Sequence, residues 1–267
     1  VDILPLLILL CAGCFAGFLA GFFGVGGGTI LVPILLLYYQ TTTVSSLVST
    51  HLAFGTSLLI IIFASGSSAI QYTRNKQVIW KAVVLLGAGS VAGGLGGALI
   101  AGGLDGRVLR QIFAAVVLLA AVQLLVSTKK HKGEEVPATF PPALLLGGLV
   151  VGVVSALAGI GGGVVSIPIM HSMFRFPFKK ALGTSSATIV ITACAAGIGY
   201  VVRGWGNSSL PPFTLGYVDY LHAMPLILGS IPCAMLGART AYKTDAKLLT
   251  KIFAGFLVII AFRMFFQ

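Results

Sequence analysis

Charge is what this 267-residue chain has least of. Only 9% of its residues are charged and 57% are hydrophobic, whereas a soluble domain carries about 25% charged residues. With a mean hydropathy of +1.05, the composition is that of an all-α polytopic membrane protein. Acids are the scarcest: Asp2, Asp105, Glu134, Glu135, Asp219 and Asp245, each at a terminus or between apolar runs. A bilayer core without carboxylates argues against cation transport and against a carboxylate proton relay. The expected cargo is therefore a small anionic or neutral solute. Cysteines are also few, and Cys11, Cys14, Cys194 and Cys233 all lie in apolar stretches. Cys11 and Cys14 have CxxC spacing, but neither a second pair nor a nearby histidine completes a metal site, so they read as small hydrophobes. No nucleophile, acid and base set stands out, so we expect no enzyme, no metal and no cofactor. The 17 Lys and Arg residues give a net charge of +11. They cluster in short loops, where they orient membrane spans rather than bind nucleic acid.

Glycine, by contrast, is abundant and patterned. The phrase GVGGGTILVPIL at 24–35 returns as GIGGGVVSIPIM at 159–170, an offset of 135. Ala53-Phe54-Gly55-Thr56-Ser57 corresponds to Ala181-Leu182-Gly183-Thr184-Ser185 at an offset of 128, and Gly89-Ser90 to Gly229-Ser230 at 140. A span needs about 20 residues. The runs free of acid, Lys and Arg at 3–73, 82–104, 111–128, 136–174, 181–202, 220–238 and 248–266 then divide into ten helical segments. We expect a first repeat at 1–128 (segments 1 to 5), a linker at 129–142 and a second repeat at 143–267 (segments 6 to 10). The first apolar stretch lacks a basic n-region and runs into the glycine phrase, so it reads as a span and not as a signal peptide. The extra residues of the second copy fit 204–217, where Asn207-Ser208-Ser209 and Pro211-Pro212 read as a loop.

Five segments per copy predicts that the copies are inverted relative to each other, and loop charge tests this. If all ten segments alternate, one side receives 13 basic residues and the other only Arg107, Arg110, Arg203 and Arg263. Folding segments 2 and 7 back so that segments 1 and 6 alone cross would give 9 and 8, and the bias would vanish. The positive-inside rule favours inversion, with both chain ends outside. It does not separate full crossings from V-shaped hairpins. Segments 2 and 7, near 29–39 and 164–174, are too short to span at about 1.5 Å per residue, which favours hairpins.

In inverted hairpins one tip descends while the other rises, so Gly26-Gly27-Gly28 and Gly161-Gly162-Gly163 are expected to face one anion near the midplane. Free N–H groups and positive dipole ends would hold it. Thr56, Ser57, Thr184 and Ser185 add hydroxyls for its oxygens, or serve as ordinary helix-to-helix bonds. Arg203 stands at the outer mouth as a possible entrance, or as an interfacial anchor beside Tyr200 and Trp205. Gly13, Gly17 and Gly21, at four-residue spacing, read as a packing face.

Together, the paired G-x-G-G-G…P phrases, the AFGTS and ALGTS segments and the glycine-rich segments 4 and 9 resemble the sulfite exporter TauE/SafE family of membrane permeases. The resemblance runs over almost the entire chain. It implies movement of sulfite, a sulfonate or a sulfoacetate-like organic anion across a bacterial inner membrane; loop charge places both termini on the periplasmic side, and two inverted halves around a midplane site predict alternating access. The resemblance carries onto the six glycines and, less directly, onto Thr56, Ser57, Thr184 and Ser185. An anion channel using the same N–H groups is the alternative. The partners expected are the small anion and the bilayer, and a homo-oligomer is compatible with the sequence.

Overall fold

The computed structural model describes residues 3–42, 44–126 and 142–265. Most of the expected linker at 129–142 lies outside the described residues. The described chain is helical almost throughout, as its composition demands of backbone in lipid. In order the helices are α1 (Ile3–Phe23), α2 (Gly28–Gln40), α3 (Ser46–Arg74), α4 (Trp80–Ala101), α5 (Gly106–Val126), α6 (Ala143–Ala158), α7 (Gly163–Pro168), α8 (Phe178–Gly204), α9 (Tyr220–Lys243) and α10 (Ala246–Phe265). After Pro168, α7 widens into a π-helical turn, Ile169–Met173.

Among the described residues, six helices, α1, α3, α4, α5, α8 and α9, are long and apolar enough to cross a membrane. The protein is an integral membrane protein. Outward-facing Leu4, Leu119, Leu228, Ile259 and Phe262 are all more than half exposed, as an apolar surface in contact with lipid tails would be. Segments 2 and 7 are short, as expected: α2 has 13 residues, and α7 with its π turn runs from Gly163 to Met173.

Lipid gives no hydrophobic reason for helices to associate, so they need close backbone approach. Gly13, Gly17 and Gly21 supply it on α1: a Cβ on any of the three would run into the backbone of Leu226, Ser230 or Ala234 of α9. Gly89, Gly93 and Gly97 of α4 meet Leu145, Leu149 and Val153 of α6 in the same way. Within each pair the contacts advance along both helices together, so α1 runs parallel to α9 and α4 parallel to α6. The expected packing face is present, with a counterpart on α4.

The two longest helices, α3 and α8, cross at the centre. Gly66 lies by Val190, Gly197 by Leu58, and Gly183 by Tyr72 and Gln77, so the helices run antiparallel. Ile61 and Ile189 sit near their midpoints. α5 packs on α10, and Phe23 at the end of α1 stacks on Phe253 and Phe256 of α10, with ring centroids 4.9 and 5.3 Å apart.

The segment after α8 departs from expectation. The stretch read as a loop, 204–217, holds the first strand and the turn of a small antiparallel hairpin, Thr214–Leu215 with Val218–Asp219. Its second strand is buried. Gly55 has no side chain where Tyr217 O comes against α3, and this lets the hairpin dip between the helices.

Candidate functional site: two glycine turns at the centre

Each glycine phrase breaks a helix in the same way. α1 ends before Gly24 and α6 at Gly159, with φ of 64° and 65°. Gly27 and Gly162, with φ of 83° and 90°, then begin α2 and α7 without any side-chain cap. These are left-handed conformations that side chains other than glycine's rarely adopt. The sequence G-x-G-G-G therefore folds into one turn twice.

The two turns meet. A Cβ on Gly28 would lie 2.6 Å from Ile160 Cα, and one on Gly163 would lie 2.5 Å from Val25 Cα. Gly26 and Gly161 both face the side chains of Ile61 and Ile189 at the middles of α3 and α8. The contacts are exchanged between the copies. Ser57 Oγ, on α3, lies 2.7 Å from Gly159 O in the second turn, sharing its proton with Phe54 O. Ser185 Oγ, on α8, donates to Gly24 O in the first turn at 2.8 Å and lies 2.8 Å from Ser166 Oγ.

What the turns leave unpaired defines their chemistry. Among the described residues, no acceptor is found for the N–H groups of Gly26, Gly27 and Gly28 or of Gly161, Gly162 and Gly163. All six glycines are buried. Two buried hydroxyls beside them, Ser65 Oγ and Ser155 Oγ, also lack a partner. Ser65 Oγ is 2.9 Å from where a Cβ on Gly26 would stand, and Ser155 Cβ is 3.5 Å from that of Gly162. Buried polar groups are ordinarily satisfied, so unpaired donors at two touching helix starts mark a candidate polar site.

The expected hydroxyls divide into two sets. Ser57 and Ser185 reach the turns, but they are engaged with carbonyls. Thr56 and Thr184 lie elsewhere: Thr56 Oγ1 accepts from Asp219 N at 2.9 Å and Thr184 Oγ1 from Ile79 N at 3.0 Å, where α9 and α4 begin. Arg203 is exposed, its side chain folded over Gly102 between α4 and α5. Among the described residues no cluster of His, Cys, Asp or Glu could hold a metal.

Sequence reasoning missed Ser65 and Ser155, which look like any serine in an apolar helix, and it missed a second polar cluster. Asp219 lies between apolar segments, as read, yet its side chain is only 2% exposed. Its Oδ2 accepts from Tyr39 OH at 3.1 Å and lies 2.6 Å from His222 Nδ1. The interior is thus not free of carboxylates.

A helical bundle with crossing spans, two broken helices and a buried polar junction has the build of a membrane transporter. The chain belongs to the sulfite exporter TauE/SafE family, whose model matches residues 9–264. A "Probable membrane transporter protein" of Haemophilus influenzae is 32% identical over 97% of this chain and 98% of its own length. Related proteins include YunE of Bacillus subtilis, 28% identical over 97% of each chain. Another is MJ0441 of Methanocaldococcus jannaschii, 29% identical over 98% of this chain and 95% of its own. Both carry the same "probable membrane transporter" description. No solved structure matches the chain.

Proposed function

We propose that the protein is a permease for a small sulfur oxyanion or organic sulfonate, which binds between the glycine turns. The observation that carries this reading is the convergence of two left-handed glycine turns, each with buried, unpartnered N–H groups, on the midpoints of α3 and α8. Inverted copies with alternating exposure are supported by the antiparallel crossing of α3 and α8 and by the exchanged bonds of Ser57 and Ser185. Because the turns touch in this conformation, cargo passes only when they part. The family description favours sulfite or a sulfonate, whose oxygens suit a ring of N–H and O–H donors.

Flux of sulfite and ethanesulfonate into proteoliposomes tests the site. Changing Gly27 and Gly162 together to valine is expected to abolish flux, but it also strains the turns. Ser65→Ala separates the two effects, because removing an unpartnered hydroxyl costs the fold little. Its melting temperature should stay unchanged while KM rises about tenfold, the loss of one hydrogen bond to a charged ligand. An unchanged KM in Ser65→Ala, together with normal flux in the double valine variant, would remove the turns from the transport path.

A further inference from the structure

The two copies keep one backbone arrangement at the starts of α4 and α9 but not one chemistry. At each start a threonine from the central helix of the other copy accepts the N–H of the N-cap residue: Thr184 of α8 with Ile79 before α4, and Thr56 of α3 with Asp219 before α9. Around Thr184 the counterparts of Tyr39, Asp219 and His222 are Phe174, Ile79 and Ala82, at the repeat offsets of 135 and 140. Ile79 begins α4 with no side-chain cap. The position therefore does not need a carboxylate to start a helix. The buried acid on the other side has some further use.

We propose that Asp219 and His222 form a proton-binding site, and that its proton moves with the anion held at the glycine turns. The coupling part of this proposal rests on the anion-permease reading. The geometry points to it in three ways. First, His222 is 27% exposed and Asp219 only 2%, so the pair runs from the protein surface into the interior. Second, the charge of the pair depends on its proton: with one proton it is an ion pair of zero net charge, and without it a buried carboxylate loses its cation. Third, the pair touches the elements that build the anion site. Tyr39, which donates to Asp219 Oδ2, is on α2, the helix that Gly27 begins, and Thr56 precedes the Ser57 that holds Gly159.

The groups facing the pair are few. α2 presents Tyr39 and also Tyr38, whose ring centroid is 4.9 Å from that of His222. α3 presents Thr56, with His51 further along, its ring against Tyr217 of the hairpin. α8 brings Tyr200 against Tyr217 of the hairpin, its hydroxyl donated to Ala156 O. Among the described residues, His222 is the one basic side chain paired with Asp219. A proton is thus the available means of neutralising the acid. A monovalent anion and one proton together move no net charge.

Two measurements on the reconstituted protein test this. The first is an infrared pH titration without any anion, in which the wild type is expected to show a titrating signal of the carboxylate–imidazole pair that Asp219→Asn lacks. Asparagine keeps the helix cap, so the variant should fold. The second compares exchange of labelled sulfite and ethanesulfonate with their accumulation under a pH gradient. One proton per anion gives the wild type about tenfold accumulation per pH unit. Asp219→Asn should fall to no accumulation while keeping exchange, and His222→Gln should fall in the same direction. Accumulation by Asp219→Asn equal to wild type, or no titrating signal lost with the carboxylate, overturns the proposal. So does loss of exchange in the folded Asp219→Asn variant, which would place the acid in the cargo path. A wild type that titrates as expected but moves neither probe refutes the anion reading and leaves the proton site standing.

Discussion

Ser57 and Ser185 occupy equivalent places in the two copies and do equivalent work across the junction. Ser185 Oγ donates to Gly24 O and Ser57 Oγ shares its one proton between Gly159 O and Phe54 O, all at buried positions. Alanine at either position leaves a buried carbonyl unpaired, at a cost of about 1–3 kcal/mol. Ser57→Ala and Ser185→Ala should each lower the melting temperature in detergent, and the double variant should lower it further. The two sites share the junction, so the effects need not add. Equal melting of all three variants and the wild type would mean that the bonds do not hold the turns. Threonine at either position keeps the hydroxyl and should restore most of the loss.

At the scale of helices, stability depends on where a side chain is missing. Gly17 stands against the backbone of Ser230, at 2.5 Å from where a Cβ would be, whereas Gly96 has nothing within 4 Å. Gly17→Leu should separate α1 from α9 and reduce the yield of monodisperse protein in size-exclusion chromatography. Gly96→Ala should be tolerated, and should gain about 0.5–1 kcal/mol from helix propensity. Equal behaviour of the two variants would contradict the packing described for α1 and α9.

This contrast also marks what was legible in the sequence. Four-residue glycine spacing and the two G-x-G-G-G phrases announce themselves, because only glycine permits the close approach and the left-handed turns. The short second and seventh helices follow from simple length. The Asp219 cluster does not announce itself, since its members come from positions 39, 56, 219 and 222 and meet only through the hairpin. That hairpin was itself hidden under the prolines and asparagine of a loop-like stretch. Thr56 and Thr184 carried the right pairing in sequence, yet their partners are the N-termini of α9 and α4, which local pattern does not reveal.

For the whole molecule, the testable property is orientation. The loop charges predict that the turn at residues 75–79 faces the cytoplasm and the segment around 205–213 faces outward. In a variant whose native cysteines are replaced, a cysteine at the exposed Trp205 should react with a membrane-impermeant thiol reagent applied to intact cells. A cysteine at Lys76 should react only after permeabilisation. The reverse pattern would invert the protein in the membrane, and labelling of both from outside would defeat the alternating topology.

The exchanged bonds between the turns have a consequence for ancestry. A single five-helix copy has no opposite turn to receive its serine, so on its own it could assemble this junction only by pairing with a second molecule of itself. Such a pair is bound to carry every residue twice, acids included. Joining the copies in one polypeptide removes that obligation: one end of the molecule can acquire Tyr39, Asp219 and His222 while the other keeps Phe174, Ile79 and Ala82. In one polypeptide, the two ends of a repeated scaffold are free to differ.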